Sequence, residues 1–210
     1  EILHLARTLR AHFSFAADAE CSVEADPRGL GEEGIAALQE AGFNRISIGL
    51  QDFDERVQRA VNRVHSIEMV GRLVGWVRRH GFVSLNFDLM YGLPHQSVET
   101  FSRTLDAVLA LGPDRLAVFN YAHLPHMIKH QKLIDESALP PASVRLDILA
   151  MAVAKLEGAG YVFIGMDHFA REGDPLLEAQ RQRTLHRNFQ GYSTHAGLDL
   201  IGFGSSAISQ

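Results

Sequence analysis

Apolar residues recur along this chain in two rhythms. Ile2, Leu5, Ala6 and Leu9 share one face, which predicts an amphipathic helix over 2–13. Ala19-Glu20-Cys21-Ser22-Val23-Glu24 alternates as a strand does, and Asp26-Pro27 ends it. A short helix from Glu32 to Ala41 follows, closed by Gly42. Arg45 to Gln51 reads as the second strand, with Asp52 as N-cap of a short helix through Ala60. Ser66 caps a helix over 67–80, and Val83 to Leu89 is the third strand. A helix over 97–111 leads through Gly112-Pro113 to a fourth strand, Arg115 to Tyr121. Residues 123–140 read as loop with a short helix, 142–158 as a long amphipathic helix, and Tyr161 to Gly165 as the fifth strand. Residues 166–198 carry little periodicity beyond a helix at Leu176–Thr184, and Asp199 to Phe203 reads as a last short strand.

Strand and helix alternate with short connections. That pattern predicts an α/β fold with parallel strands joined by right-handed crossovers, as a barrel or an open sheet. No P-loop and no Gly-x-Gly-x-x-Gly follows the first strand, so the nucleotide fingerprints of open sheets are missing.

Composition narrows the chemistry. The 210 residues are 46% hydrophobic and 21% charged, ordinary for a globular chain with a sizeable core. A net charge of -5 and a pI near 6.1 give no footprint for nucleic acid or an anionic membrane. No apolar run is long enough to span a bilayer and no signal peptide is visible. One cysteine argues against disulfides, fits a reducing cytoplasm, and excludes a self-contained cysteine metal site. The chain starts without Met, already in a helical pattern, and stops just after a glycine-rich turn; a fragment of a longer protein is expected.

Glu24, Gln51 and Asp88 stand toward the ends of three successive strands, the ends at which α/β proteins place ligand chemistry. Any one of them alone is ordinary strand-end polarity. Three in register point to a site for a polar ligand, such as ribose hydroxyls or an α-amino group. Arg63, in the loop after the second strand, can pair with a ligand carboxylate or be a solvated arginine. Asp167-His168 is either a proton-transfer or orienting pair or a structural histidine. His186-Arg187-Asn188-Phe189-Gln190-Gly191-Tyr192 suits a flat, multiply acidic ligand: His186 and Arg187 for carboxylates, Phe189 or Tyr192 for the ring face. A loop packed on the rest of the fold is the alternative. His123, His126 and His130 lie within helical reach of one another, but no acid-backed pair makes them a metal site. Cys21, among apolar neighbours, reads as a core residue.

Together these segments resemble a known family. Ser22-Val23-Glu24-Ala25-Asp26-Pro27, Gly42 to Ser47, Gly49-Leu50-Gln51-Asp52-Phe53, Val57 to Arg63, Asp88 to Pro94 and Phe119 to Pro125 look like the middle of a radical S-adenosylmethionine (SAM) barrel. Gly165 to Ala170 and the His186–Tyr192 run resemble, within that superfamily, the oxygen-independent coproporphyrinogen III oxidases of haem synthesis. The resemblance covers essentially the whole chain. It implies a partial (β/α)6 barrel, of which residues 1–125 are the later part and residues 126–210 an extension of the same catalytic domain.

The resemblance also implies chemistry and partners. A 4Fe-4S cluster and two SAM molecules are expected. One SAM matches Glu24, Ala122 and Ile208, and the second matches Gln51, Arg63 and Asp88. The cluster's Cys-x-x-x-Cys-x-x-Cys ligands belong upstream of this segment, so no metal ligand is expected here. The implied reaction is oxidative decarboxylation of two propionates of coproporphyrinogen III to vinyls, through a 5′-deoxyadenosyl radical, with an electron donor and an acceptor. Asp167, His168, His186 and Arg187 are the candidates for substrate contact. A cytoplasmic monomer is expected, with the fragment alone inactive. The alternative is a haem-binding chaperone of the same superfamily, disfavoured by the His186–Tyr192 run.

Overall fold

The computed structural model describes residues 1–188 and 191–209. Helix α1 (Ile2–His12) leads to β1 (Ser22–Ala25), α2 (Glu32–Glu40), β2 (Arg45–Gln51), α3 (Glu55–Ala60), α4 (Ile67–Arg79), β3 (Ser84–Tyr91), α5 (Val98–Leu111) and β4 (Arg115–Asn120). After two 3-10 turns come α6 (Ala142–Gly158), β5 (Tyr161–Gly165), β6 (His168–Arg171), α7 (Pro175–Arg181), β7 (His186–Asn188) and β8 (Gly191–Ser193). Six strands form one sheet in the order β1-β2-β3-β4-β6-β5. β1 to β4 run parallel. β6 pairs antiparallel with both β4 and β5.

The period-two alternation in β2 to β4 divides the sheet into two unlike faces. One face carries Ile46, Ile48, Leu50, Leu85, Phe87, Leu89, Leu116 and Val118, all buried. Onto it pack Ile35 of α2, Leu73 and Val77 of α4, Phe101 and Leu105 of α5, and Ile148, Ala152 and Leu156 of α6, in one continuous core. Each fully buried side chain of this size contributes roughly 1.5–3 kcal/mol, so this face holds the sheet together. The opposite face carries Glu24, Arg45, Ser47, Asn86, Asp88, Arg115 and His168. At its β5/β6 edge α7 covers it with a small second core of Ile164, Ala170, Leu176 and Leu177. Helices on one face and polar side chains on the other make a partial barrel with no closure among the described residues.

Several expectations need correction. β5 does not lead into another parallel unit: Met166-Asp167 turns the chain back at once, with Met166 at φ +50, so β6 returns antiparallel. No strand forms over 199–203. β1 begins at Ser22 rather than Ala19, and α7 covers 175–181 rather than 176–184. The cap of α3 is Asp54, whose carboxylate accepts from the backbone N–H groups of Arg56 and Val57. Asp52 turns inward, 1% exposed, and accepts from Thr104 Oγ1 (2.6 Å) and Gln96 Nε2 (2.5 Å). Burial raises its pKa above the ordinary carboxylate value, while those bonds oppose the rise.

Candidate active site

The polar face lines a cavity of about 370 Å³. Register explains its composition, since in-register residues of neighbouring strands share a face. One row runs Glu24, Ser47, Asn86, Arg115; the next runs Gly49, Asp88, Ala117, His168. Asp88 is therefore not at a strand end. It lies within β3, which continues to Tyr91.

Asp88 is held in a closed triangle. Ser47 Oγ donates to Asp88 Oδ2 at 2.8 Å, and Asn86 Nδ2 donates to Asp88 Oδ1 and to Ser47 Oγ, each at 2.7 Å. Burial pushes the Asp88 carboxyl above its ordinary pKa and the Glu24 charge adds to the rise; the bonds from Ser47 and Asn86 pull it back. Both carboxyl oxygens are thus oriented by two neighbours while the group faces the cavity.

Gln51 and Arg63 join this acid from one row further along. Gln51 ends β2 at φ +64, an unusual conformation for a non-glycine residue, at a break in the β2/β3 register. Arg63 Nη1 donates to Gln51 Oε1 at 2.7 Å and to the Gly49 carbonyl at 3.2 Å. Arg63 is therefore tied to the sheet rather than freely solvated. A Cβ on Gly49 would come within 3.1 Å of Gln51 Nε2 and 3.2 Å of Arg63 Nη1, so the glycine leaves room for both side chains over the sheet beside Asp88.

His168 faces the same cavity, edge-on to the rings of Phe119 (5.9 Å) and Tyr192 (5.3 Å). Burial lowers its pKa; the Asp167 charge opposes this, and those of Arg187 and Arg115 reinforce it. Its Nδ1 is buried without a hydrogen-bond partner, and no hydrogen bond between Asp167 and His168 is found among the described residues. Arg115 is committed to Asp174, with Nε and Nη2 donating at 2.6 and 2.8 Å.

The other expected residues lie elsewhere. His186 and Arg187 line a separate cavity with His195 and Asp199, although the Arg187 charge is felt at His168. Ala122 borders a third cavity with Gly92 and Arg145. Ile208 is 58% exposed. Phe189 falls outside the described residues. His123 is engaged by Tyr121 Oη (3.0 Å) and Glu136 (3.1 Å). Sequence reasoning from strand ends passed over Ser47, Asn86 and Arg115, although the polar alternation along β2 and β3 marks the first two.

Two carboxylates, an amide and an arginine converging on one sheet face make a donor set suited to a zwitterionic ligand with hydroxyls and an amine, as SAM is. A 4Fe-4S cluster does not fit the residues described: Cys21 is the chain's single cysteine, and no group of three or more potential metal ligands stands together among the described residues.

Comparison with known proteins assigns the chain to a family. The radical SAM superfamily model matches residues 1–108, and the chain belongs to that superfamily. Among curated relatives, the oxygen-independent coproporphyrinogen III oxidase of Escherichia coli K12 is 51% identical over 209 residues, covering 100% of this chain and 46% of its own length. The enzyme of the same name from Synechocystis is 49% identical over 205 residues, 98% of this chain and 44% of its own. A solved structure, coproporphyrinogen III oxidase from Escherichia coli, described as a radical SAM enzyme, superposes with a TM-score of 0.97 at 51% identity, over 99% of this chain and 48% of that one. The chain thus spans about half the length of the relatives it matches.

Proposed function

We propose that the full-length protein is an oxygen-independent coproporphyrinogen III oxidase and that this segment forms the SAM-facing wall of its active site. The observation that carries the reading is identity at about half of all positions along the entire chain to enzymes of that name. The reaction takes two propionates to vinyls; each loses a hydrogen from its β-carbon, carbon dioxide and one electron. Bound SAM supplies the hydrogen-abstracting chemistry.

This chain's residues bind and orient. Asp88, fixed by Ser47 and Asn86, accepts from the ligand's amine or hydroxyls, with Gln51 and Arg63 alongside it at one SAM site. Glu24, Ala122 and Ile208 serve the other. Glu24 and Asp88 share the cavity; Ala122 and Ile208 stand apart from it, so in this reading they are brought to the ligand through the rest of the full-length protein. His168, neutral at physiological pH through its lowered pKa, Asp167, His186 and Arg187 face the substrate side. Cluster ligands, electron donor and acceptor lie outside this segment. Residues 1–125 are assigned to the barrel and 126–210 to an extension of the same domain, and a cytoplasmic monomer is inferred. None of the described helices is long and apolar enough to cross a membrane.

The test uses full-length protein, purified and reconstituted without oxygen, with coproporphyrinogen III, SAM and a reductant. Protoporphyrinogen and 5′-deoxyadenosine together are expected. Haem binding with neither product would overturn the oxidase reading in favour of a chaperone. Asp88→Ala is expected to weaken SAM binding, and unchanged binding and turnover would refute its assignment.

A further inference from the structure

At the C-terminal ends of β3 and β4 lies a cavity of about 310 Å³, bordered by Gly92, Asn120, Tyr121, His123 and Arg145. Arg145 stands in the first turns of α6 and is only partly exposed. Its Nε is buried with no hydrogen-bond partner, and no hydrogen bond or ion pair of this side chain is found among the described residues. A buried guanidinium nitrogen without a hydrogen-bond partner is costly, and proteins satisfy such groups or keep them for an anionic ligand. The other arginines at the sheet ends illustrate the usual solution: Arg115 pairs with Asp174 and Arg78 with Asp114.

The backbone makes room for this arginine. Gly92 follows β3 at φ +86, and a Cβ there would fall 2.9 Å from Arg145 Cδ and 3.3 Å from Asn120 Oδ1. The arginine stem therefore lies across bare backbone, which delivers its head to the strand ends. Tyr121 and His123 are committed to each other and to Glu136, leaving Arg145 and Asn120 as the donors of this cavity. A planar guanidinium beside an amide suits a carboxylate, which the guanidinium can grip with two bonds.

We propose that Arg145, with Asn120, is a carboxylate subsite for one propionate of the porphyrinogen, a reading that rests on the proposed oxidase function. The cavity borders Ala122, so the subsite lies next to the residue that the family resemblance assigns to SAM.

The test uses the full-length protein and coproporphyrin III, the stable oxidised counterpart with the same four propionates, titrated by fluorescence. Arg145→Gln is expected to weaken coproporphyrin binding about tenfold to a hundredfold, the loss of one charge-assisted pair. SAM affinity is expected to stay unchanged and Arg145→Lys to restore part of the porphyrin affinity. If Arg145→Gln does not fold, Arg145→Lys carries the test: the porphyrin affinity of this point charge falls short of wild type. Wild-type porphyrin affinity in both variants would overturn the subsite. So would loss of SAM affinity with porphyrin binding intact, since the carboxylate held would then be that of SAM. Failure of the wild-type protein to bind coproporphyrin and to convert coproporphyrinogen would instead bring down the oxidase reading and the subsite with it.

Discussion

Asn86→Ala tests whether the polar face holds Asp88 in its working state. The substitution removes both bonds donated by Asn86 Nδ2, to Asp88 Oδ1 and to Ser47 Oγ. A hydrogen bond to an ionised group contributes about 1.5–3 kcal/mol, and one pKa unit corresponds to about 1.4 kcal/mol. The bond favours the carboxylate, so its loss raises further a pKa that burial has already raised. SAM binding that needs the ionised acid is then lost at a correspondingly higher pH on acidification. The stability effect has a definite sign as well. With its folded pKa above the unfolded one, ionised Asp88 is a cost to the folded state above that pKa, and the cost is relieved as pH falls through it. Asn86→Ala enlarges the cost at neutral pH, and its difference from wild type shrinks as Asp88 becomes protonated. Equilibrium binding of SAM by the full-length variant, followed from acid to neutral pH, measures the first effect; urea unfolding at the same pH values measures the second. A binding midpoint that does not move would refute the claim that the triangle tunes Asp88.

Two stability predictions follow from the supporting structure, both measured by urea unfolding of the full-length protein. Asp54→Ala removes the cap of α3 and is expected to cost about 1 kcal/mol, whereas a negligible effect would mean that α3 is held by packing alone. Arg115→Leu leaves Asp174, only 9% exposed, without its partner and is expected to cost about 3 kcal/mol. A neutral outcome there would show that water reaches the freed carboxylate.

Much of the fold is legible along the chain because its signals are local. The helical spacing of Ile2, Leu5, Ala6 and Leu9, the Ser66 cap and the apolar positions of β2 and β3 are each visible within a few residues. Glu24 and Gln51 could be nominated for the same reason, as polar residues near the ends of apolar strands, whereas Asp88, expected at such an end, lies inside β3 and Arg63 lies in a connector. Two aspartates two positions apart defeated local reasoning. Either Asp52 or Asp54 can cap α3, and the choice falls to Asp54 because Thr104 and Gln96, from a distant helix and its approach, draw Asp52 into the interior.

The sequence by itself determined most of the helices and strands as far as β5 and which face of each is apolar, since periodicity is a property of neighbours in the chain. Only the tertiary structure decided that Ser47 and Asn86 close on Asp88, that β6 turns back to set His168 in the row of Asp88, and that Arg145 crosses Gly92. Those contacts join residues from different strands and helices. They depend on strand register and helix packing, which the balance of the whole core selects.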